Sequence, residues 1–311
     1  MTLLEARNLK KIYSGRTVVD GVSLHVNEAE IVGLLGRNGA GKTTSFRMTI
    51  GMIEADAGQV FFKGKEVTGL PMYRHARLGI GYLSQEPSVF TRLTCEQNLL
   101  AILETLNISR KERKRRAASL LERFHLTHKA KDQARTCSGG ERRKLEIARS
   151  LITKPKLILL DEPFSGVDPI AVEELQGLIR TLTDAGISCL ITDHNVQQTL
   201  RVCDRAYIID SGKVLAEGTP KDLINDELVR RVYLGSLFRG DEFDEPFRSI
   251  NTKPRSSSRP ASGSAKGPPN GSADGTPGTG TTPRVLLTGE RPAKKLAKRP
   301  AKRDAKKDAS S

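Results

Sequence analysis

The stretch that most constrains the fold is Gly36-Arg-Asn-Gly-Ala-Gly-Lys-Thr-Thr44, which directly follows the apolar run EIVGLLG of residues 30–36. A short, continuous apolar run is typical of a strand that is buried on both faces of a parallel sheet. Glycines at this spacing let consecutive backbone N–H groups converge on phosphate oxygens, and the helix that follows adds the positive end of its dipole. The order of strand, glycine-rich loop and helix therefore predicts a phosphate-binding loop over residues 36–44, called the phosphate loop below.

Two side chains of the phosphate loop carry chemistry of their own. Lys42 is placed to neutralise the β- and γ-phosphates of a nucleotide, and the Thr43 hydroxyl is placed to bind Mg²⁺. Both residues fit the pattern GxxxxGK[ST]. The sequence thus predicts a site for ATP and Mg²⁺, and the residues of this loop assigned to the nucleotide are Gly36, Arg37, Asn38, Gly39, Ala40, Gly41, Lys42, Thr43 and Thr44.

Two carboxylates follow a buried strand in the second half of the chain. The run KLILLDE of residues 156–162 is apolar until it ends in Asp161 and Glu162. Asp161 is placed to bind Mg²⁺, and Glu162 is placed to orient and polarise an attacking water as a general base. The alternative is a strand that ends in solvated acids, which the neighbouring phosphate loop makes the weaker interpretation.

Four more residues are assigned to the same site. His194 ends the strand SCLITDH and can link the γ-phosphate to the catalytic region, while the Gln85 amide can reach Mg²⁺ or water. Asp168 lies six residues beyond Glu162, and the Tyr13 ring offers a surface on which adenine can stack, although a lone aromatic residue is more often part of a core. The other histidines are interpreted as structural: His25, His75, His125 and His128.

The stretch Ser138-Gly-Gly-Glu141, called the signature loop below, is a second anion cradle. It opens an Arg/Lys-rich helix and offers backbone amides and a hydroxyl, so Ser138, Gly139, Gly140 and Glu141 are assigned to nucleotide binding. If the two loops lie on different subdomain faces, the signature loop cannot reach the phosphate held by Lys42. Two copies arranged head to tail would solve this problem, because each copy would lend its signature loop to the other's ATP.

The pattern of strands and helices predicts the fold class. Strand-like runs at residues 156–162, 188–194 and 205–218 alternate with helical segments, which favours an α/β core with parallel strands. Residues 1–31 alternate as antiparallel strands that turn at Ser14-Gly15, and residues 94–151 are largely helical.

The C-terminal fifth of the chain has a different composition. From about residue 251 Pro, Gly, Ser, Thr, Ala and Lys dominate, and such a segment buries too little apolar surface to offset the entropy of ordering, so we expect disorder. Its 14 Lys/Arg against 4 Asp/Glu account for ten of the fifteen net positive charges. The tail is a solvating appendage, or it contacts the anionic cytoplasmic leaflet, or it binds nucleic acid non-specifically. The run RKERKRR at 110–116 is interpreted as a solvated helix face rather than a nucleic-acid contact, because no aromatic residue is interleaved.

Several classes of protein are disfavoured by composition. The four cysteines show no CxxC pair and no histidine at metal spacing, which argues against a zinc site or a disulfide framework. No apolar run approaches the roughly 18 residues that a membrane span needs, and the N-terminus lacks the apolar segment of a signal peptide. The expected location is therefore cytoplasmic.

Together, GRNGAGKTT, Gln85, SGGER, LILLDEP, GVD and TDH resemble the ATP-binding cassette (ABC) ATPases over essentially all of residues 1–240. Other nucleotide-binding proteins with a phosphate loop lack the SGGE element. The resemblance implies a P-loop NTPase (RecA-like) α/β core with an antiparallel β subdomain and an inserted α-helical subdomain at about 87–153. It also implies ATP hydrolysis by a homodimer. The tail of residues 241–311 has no counterpart in the family pattern.

Within that family the chain is similar to the ATP-binding subunit of the lipopolysaccharide export system, on stretches such as IGYLSQEPSVFTRLT, LLDEPFSGVDPIAV and RVYLG. This similarity implies two transmembrane permease subunits, a peripheral position on the inner membrane, and a groove near Phe90 that receives their coupling helices. It also implies that YLGSLF (233–238) packs at the ATPase dimer. Two departures are Cys137, where the family usually has an aliphatic residue, and Thr91-Arg92, where it has a basic pair.

Two other functions stay open at this point. One is the ATPase of a branched-chain amino-acid importer, which would share the same chemistry. The other is a non-transport relative that acts on nucleic acid or ribosomes, which usually has two cassettes or a long coiled-coil insertion. This sequence has one cassette and no room for a coiled coil between Lys42 and Ser138.

Overall fold

The strands form two sheets, and the computed structural model describes them within residues 1–234. The predictions for the tail of residues 241–311, and for most of YLGSLF, lie outside the described residues. In chain order the strands are β1 (Thr2–Tyr13), β2 (Arg16–Asn27), β3 (Ile31–Gly36), β4 (Ala57–Phe62), β5 (Lys65–Glu66), β6 (Ile80–Leu83), β7 (Leu157–Asp161), β8 (Ser188–Thr192), β9 (Arg205–Asp210) and β10 (Lys213–Gly218).

The helices lie mainly between β6 and β9. In chain order they are α1 (Lys42–Thr49), α2 (Met72–Leu78), α3 (Cys95–Leu103), α4 (Arg110–Arg123), α5 (Gly139–Ser150), α6 (Pro169–Asp184), α7 (Val196–Val202), α8 (Pro220–Asn225) and α9 (Glu227–Val229), followed by a π-helical turn at Arg230–Leu234. Within residues 1–234, none of these helices combines the length and the apolar character needed to cross a membrane.

The larger sheet has the order β10-β9-β3-β8-β7-β6, and its strands from β9 to β6 are parallel. The smaller sheet, in the order β2-β1-β4-β5, is antiparallel. The predicted turn at Ser14-Gly15 joins β1 to β2, and a second turn at Ser211-Gly212 joins β9 to β10. The predicted α/β fold is confirmed, with an antiparallel sheet beside a mainly parallel one and a helical insertion (α3 to α5) between β6 and β7; the proposed limits of 1–240 and 87–153 stay predictions.

The parallel sheet is covered on both faces, which explains why its central strands are apolar at every position. Successive side chains of a strand point to opposite faces. On β7, Leu157 and Leu159 pack with the antiparallel sheet and Phe46 of α1, whereas Ile158 and Leu160 pack with the helices α3 to α6. All four side chains are fully buried. Burial of both faces of β7 explains the continuous apolar run, from which a strand buried on both faces was predicted.

The carboxyl ends of four parallel strands meet at one edge of the sheet. Asp161 at the end of β7 pairs with Thr192 of β8, and Thr192 also pairs with Leu34 of β3. On the other side Leu83, which ends β6, pairs with Leu160. The loops that follow these strands therefore start within one or two strand spacings of each other, which is where open α/β sheets bind their ligands.

Candidate functional site

The phosphate loop connects the end of β3 to α1, and its glycines are required by the backbone. Gly36 has φ of 151°, and a Cβ there would lie 2.1 Å from the Ile209 carbonyl oxygen. Gly41 has φ of 100°, and a Cβ there would lie 2.7 Å from the Val18 carbonyl oxygen. The loop is thus held between β9 and the β1–β2 arm. Arg37, Asn38 and Gly39 are exposed, Ala40 is buried, and Thr43 and Thr44 are half-buried in the first turn of α1.

Lys42 is folded back onto its own loop. Its Nζ donates to the carbonyl oxygens of Gly36 at 2.6 Å and Arg37 at 2.9 Å, and the residue is 6% exposed. Burial lowers the pKa of Lys42, while the carboxylates of Glu162 and Asp193 act in the opposite direction. The ammonium is therefore held at the centre of the loop, in the field of two carboxylates from neighbouring strands.

Asp161 has one carboxylate oxygen that is satisfied and one that is not. Its Oδ2 accepts from the Tyr82 hydroxyl at 3.2 Å and lies 3.6 Å from the Arg47 guanidinium. Its Oδ1 is buried and has no hydrogen-bond partner within residues 1–234. Burial raises the pKa of Asp161, and Arg47 and Tyr82 oppose that rise. A buried carboxylate oxygen without a partner is costly unless a ligand completes it, so this residue fits a divalent cation.

The three residues assigned to catalysis meet at one atom. The Gln85 side chain donates through Nε2 to Glu162 Oε2 at 2.8 Å, and His194 Nδ1 lies 3.2 Å from the same oxygen. His194 Nδ1 is also 3.4 Å from Asp193, a buried residue whose carboxylate accepts from the backbone of Phe164 and Asn195. The chain thus brings together groups from the ends of β6, β7 and β8.

Glu162 itself has an uncommon backbone conformation. Its φ is 46°, and its N–H donates to the Thr192 carbonyl at 2.7 Å. A non-glycine residue in the left-handed region costs on the order of 1–3 kcal/mol, and such positions cluster where function needs a side chain held in one direction. Other non-glycine residues such as Ala29 and Lys154 share this conformation, so the contacts of the Glu162 side chain, and not its φ alone, make it a candidate functional residue.

The signature loop begins α5 and makes a reciprocal capping box. The Ser138 hydroxyl accepts from Glu141 N–H at 3.2 Å, and Glu141 Oε2 accepts from Ser138 N–H at 2.8 Å. The N–H groups of Gly139 and Gly140 lie in the first turn of α5, where a helix has no internal partner for them, so this turn suits the binding of an anion. Glu141 Oε1 also lies 3.3 Å from His128 Nε2, so His128, which the sequence assigned a structural role, borders a site residue.

The signature loop packs against the start of α6 and not against the phosphate loop. A Cβ on Gly139 would lie 3.1 Å from the Gly166 carbonyl oxygen, and one on Gly140 would lie 2.5 Å from Ala171 Cβ. Asp168 is the N-cap of α6 and accepts from Ala171 N–H at 3.0 Å. Within the described residues, no hydrogen bond or ion pair joins residues 138–141 to the phosphate loop.

A cleft of about 810 Å³ lies beside the phosphate loop. Tyr13 lies at its wall, with its side chain partly exposed. The other lining residues come from β2, the phosphate loop and the β9–β10 turn: Arg16, Thr17, Val18, Arg37, Asn38, Gly39, Ala40, Asp210, Ser211 and Gly212. The position of Tyr13 fits the predicted stacking of a base, and the contributions of Arg16 and Asp210 were not predicted.

Some residues of the site carry no local signal in the sequence. Arg47 and Tyr82 contact Asp161 from α1 and β6, and Tyr233 accepts the Gly36 N–H at 2.9 Å from near the C-terminal end of the described chain. Burial raises the pKa of Tyr233 to about 12, so its hydroxyl is un-ionised at neutral pH. These contacts join residues far apart in sequence, so only the folded chain reveals them.

The comparisons with known proteins agree with this geometry. The ABC transporter family model matches residues 19–165, and a model described as branched-chain amino acid ATP-binding cassette transporter matches residues 213–238. The chain is 52% identical over 240 residues to the lipopolysaccharide export system ATP-binding protein LptB of Escherichia coli (strain K12), covering 77% of this chain and all of that protein. It is also 52% identical over 237 residues to the protein of the same name from Acidithiobacillus ferridurans, covering 76% of this chain and 98% of that one.

A solved structure supports the same conclusion for the fold. The ADP conformation of MJ1267, an ATP-binding cassette of an ABC transporter, superposes with a TM-score of 0.69 at 29% identity, covering 76% of this chain and 99% of that chain. The similarity covers nearly the whole length of these relatives and agrees with the motifs and with the arrangement of the two sheets. The chain therefore belongs to the ATP-binding proteins of the ABC transporter family and is an ATPase.

Proposed function

We propose that this ATPase powers lipopolysaccharide export from the inner membrane, as a homodimer coupled to two transmembrane permease subunits on the cytoplasmic face. The convergence of Gln85 and His194 on Glu162 Oε2 carries the catalytic part of the proposal. The 52% identity to export-system ATP-binding proteins carries the choice of substrate.

Glu162 acts as the general base for the attacking water. Its Oε2 is oriented by a neutral amide donor and an imidazole, so the carboxylate direction is fixed before nucleotide binds. Lys42 leaves the carbonyls of Gly36 and Arg37 and neutralises the phosphates, because an anion is a better partner for an ammonium than a neutral carbonyl. His194, whose Nδ1 lies 3.2 Å from Glu162 Oε2, links the γ-phosphate to the catalytic region.

Mg²⁺ would be held by Thr43, Asp161 and Gln85, and the unpartnered Oδ1 of Asp161 supports this assignment. When bound, the ion would neutralise charge on the β- and γ-phosphate oxygens. The acid, amide and hydroxyl oxygens of this set are the hard ligands that Mg²⁺ prefers.

The nucleotide is shared between two copies of the chain. Ser138, Gly139, Gly140 and Glu141 of one copy bind the γ-phosphate held by the phosphate loop of the other, and Asp168 lies next to them at the start of α6. This arrangement follows from the separation of the two loops within one chain and from the free first-turn amides of α5. ATP binding and dimer closure are then reciprocally coupled.

The groove for the membrane subunits lies near Phe90. This ring is 45% exposed and stacks against the Arg149 guanidinium at 4.7 Å from its centroid, and its backbone is anchored by Asn98. An exposed aromatic ring on a rigid support is a suitable anchor for a helix of a partner. The basic tail of residues 241–311 adds contact with anionic lipid or with nucleic acid, and the first of these would strengthen membrane attachment.

The experiment that tests this function is an affinity purification from the native host. A tagged Glu162→Gln variant is purified from detergent-solubilised membranes with ATP and Mg²⁺, and its companions are identified by mass spectrometry. We expect two membrane subunits of lipopolysaccharide export. Amino-acid permeases would contradict the substrate and favour the importer, to which the match at residues 213–238 points. Recovery of ribosomal or DNA-associated proteins alone would overturn the transport function.

The contact of Tyr233 with the phosphate loop gives a second test. Tyr233→Phe leaves the Gly36 N–H without its acceptor, which costs about 1 kcal/mol of stability. Because Gly36 begins the loop that binds the phosphates, we expect the KM for ATP to rise about fivefold, measured by steady-state hydrolysis.

The matched control is Tyr207→Phe. Tyr207 is buried, whereas Tyr233 is half-buried, and the Tyr207 hydroxyl accepts the His25 N–H at 3.1 Å and Arg205 Nη1 at 2.6 Å, away from the phosphate loop. Tyr207→Phe should lose at least as much stability in chemical denaturation, because two donors lose their acceptor, without a change in KM. Equal effects of the two variants on KM would show that Tyr233 acts on stability alone.

A further inference from the structure

A buried ion pair lies on the signature helix α5, one turn beyond the signature loop. Arg143 and Glu146 are 6% and 4% exposed, and Arg143 Nη1 donates to Glu146 Oε2 at 2.9 Å. Removing two charges from water is costly, so a buried pair needs further hydrogen bonds to be retained. The identity of those further partners shows what the pair does.

The remaining partners are backbone groups of the two catalytic segments. Arg143 Nη1 also donates to the Ser84 carbonyl at 2.8 Å, and Nη2 donates to the Asp161 carbonyl at 2.9 Å. Glu146 Oε1 accepts the Ser88 N–H at 2.6 Å. Ser84 directly precedes Gln85, and Asp161 directly precedes Glu162.

We propose that Arg143 and Glu146 form a positioning unit for ATP hydrolysis that holds Gln85 against Glu162. Gln85 Nε2 and Glu162 Oε2 are 2.8 Å apart. The Arg143 guanidinium donates hydrogen bonds to the carbonyls of the residues that precede them, Ser84 and Asp161. The inference rests on the proposed roles of Gln85 and Glu162. The new element is that α5 sets the distance between Gln85 and Glu162. A shift of the signature loop at the start of α5 therefore changes the alignment of the general base Glu162.

The chemistry of the cation is part of the argument. A guanidinium is planar and presents its donors in a fixed fork, whereas a lysine ammonium is a point charge on a flexible stem. Arg143→Lys therefore keeps the charge and the pairing with Glu146 but loses the simultaneous hold on two carbonyls. This substitution separates positioning from charge, and it avoids leaving a buried carboxylate unpaired.

The chain offers a matched control on the next residue of the same helix. Lys144 is 7% exposed and pairs with Glu174 of α6, and this pair makes no hydrogen bond to the segments of Gln85 or Glu162 within residues 1–234. Lys144→Arg is an equally conservative exchange of a buried cation on α5. Any general disturbance of the helix should appear in both variants.

The test is steady-state ATP hydrolysis by the full chain, with kcat and KM determined separately. We expect Arg143→Lys to lower kcat about tenfold and to change KM less than twofold, and Lys144→Arg to change neither by more than twofold. If Arg143→Lys does not fold, Glu146→Gln is the second variant, because it preserves shape while weakening the hold on Arg143. Thermal unfolding of each variant accompanies the kinetics.

A double-mutant cycle distinguishes positioning of Gln85 from a purely structural role, because it measures whether the losses in kcat are additive. If Arg143 acts through Gln85, then Arg143→Lys adds little to the loss already caused by Gln85→Ala, because residues in one network are not additive. Additive losses, or an unchanged kcat in Arg143→Lys, would overturn the inference. If Glu162→Gln abolishes hydrolysis but Arg143→Lys leaves kcat unchanged, only the inference about Arg143 and Glu146 is overturned. The proposed function would then still stand.

Discussion

Glu162→Gln should lower the kcat for ATP hydrolysis by a factor of 10² to 10⁴ while leaving the Kd for ATP within twofold. The range is what a positioned general base typically contributes. The amide is isosteric with the carboxylate and keeps an oxygen that can accept from Gln85, so the site geometry is retained. It cannot take a proton from water, so the loss is confined to the chemical step. The measurements are single-turnover hydrolysis and equilibrium binding of ATP.

The same variant tests the shared nucleotide. A protein that binds ATP without hydrolysing it should accumulate as the closed dimer, and we expect a shift from monomer to dimer in size-exclusion chromatography when ATP and Mg²⁺ are present. The control is Glu173→Gln, an exposed glutamate on α6. If kcat falls by less than tenfold, Glu162 is not the general base. If the affinity for ATP falls together with kcat, Glu162 has a role in binding instead.

The part of the site that could be predicted from sequence is the part set by strand ends. Lys42, Asp161, Glu162 and His194 each follow a short apolar run, and parallel strands bring their carboxyl ends to one edge whatever the loops between them do. A short continuous apolar run and a polar residue at its end are local signals. The α/β fold and the grouping of these residues could therefore be predicted from local patterns alone.

The contacts between distant segments could not be predicted in the same way. Gln85 and Glu162 are 77 residues apart, and their 2.8 Å contact depends on where Arg143 holds the two backbones. In the sequence, Arg143 is one cation in a basic run, and nothing distinguishes it from its neighbour Arg142. Arg143 is buried and Arg142 is only half-buried, and this difference in burial is a property of the tertiary packing.

The left-handed backbone of Glu162 illustrates a second limit. Local propensity disfavours a glutamate at φ of 46°, so a sequence-based prediction would place an extended or helical residue there. The surrounding strands impose the conformation instead, through the hydrogen bond from Glu162 N–H to Thr192. Sequence rules fail here because a contact with a neighbouring strand overrides the local preference of the backbone.

Gly140→Ala tests whether the position of the signature loop controls hydrolysis. An added Cβ would lie 2.5 Å from Ala171 Cβ, well inside van der Waals contact, so α5 must move away from the start of α6. Overpacking of this kind costs roughly 1–3 kcal/mol. Because we propose that the signature loop completes the nucleotide site of the other copy, we expect its displacement to lower kcat about tenfold or more. Binding of ATP to the phosphate loop of the monomer should be retained.

The cause can be isolated because the obstructing atom belongs to a single side chain. Ala171→Gly removes the Cβ that the new methyl group meets, so the double variant Gly140→Ala/Ala171→Gly should recover much of the lost kcat. Gly177→Ala, also on α6, adds a methyl group with nothing within 4 Å and should raise helix stability by up to about 1 kcal/mol with unchanged hydrolysis. Failure of Ala171→Gly to restore activity would mean that Gly140 is needed for its direct approach to nucleotide. In that case the packing of α5 on α6 would not be what sets the signature loop.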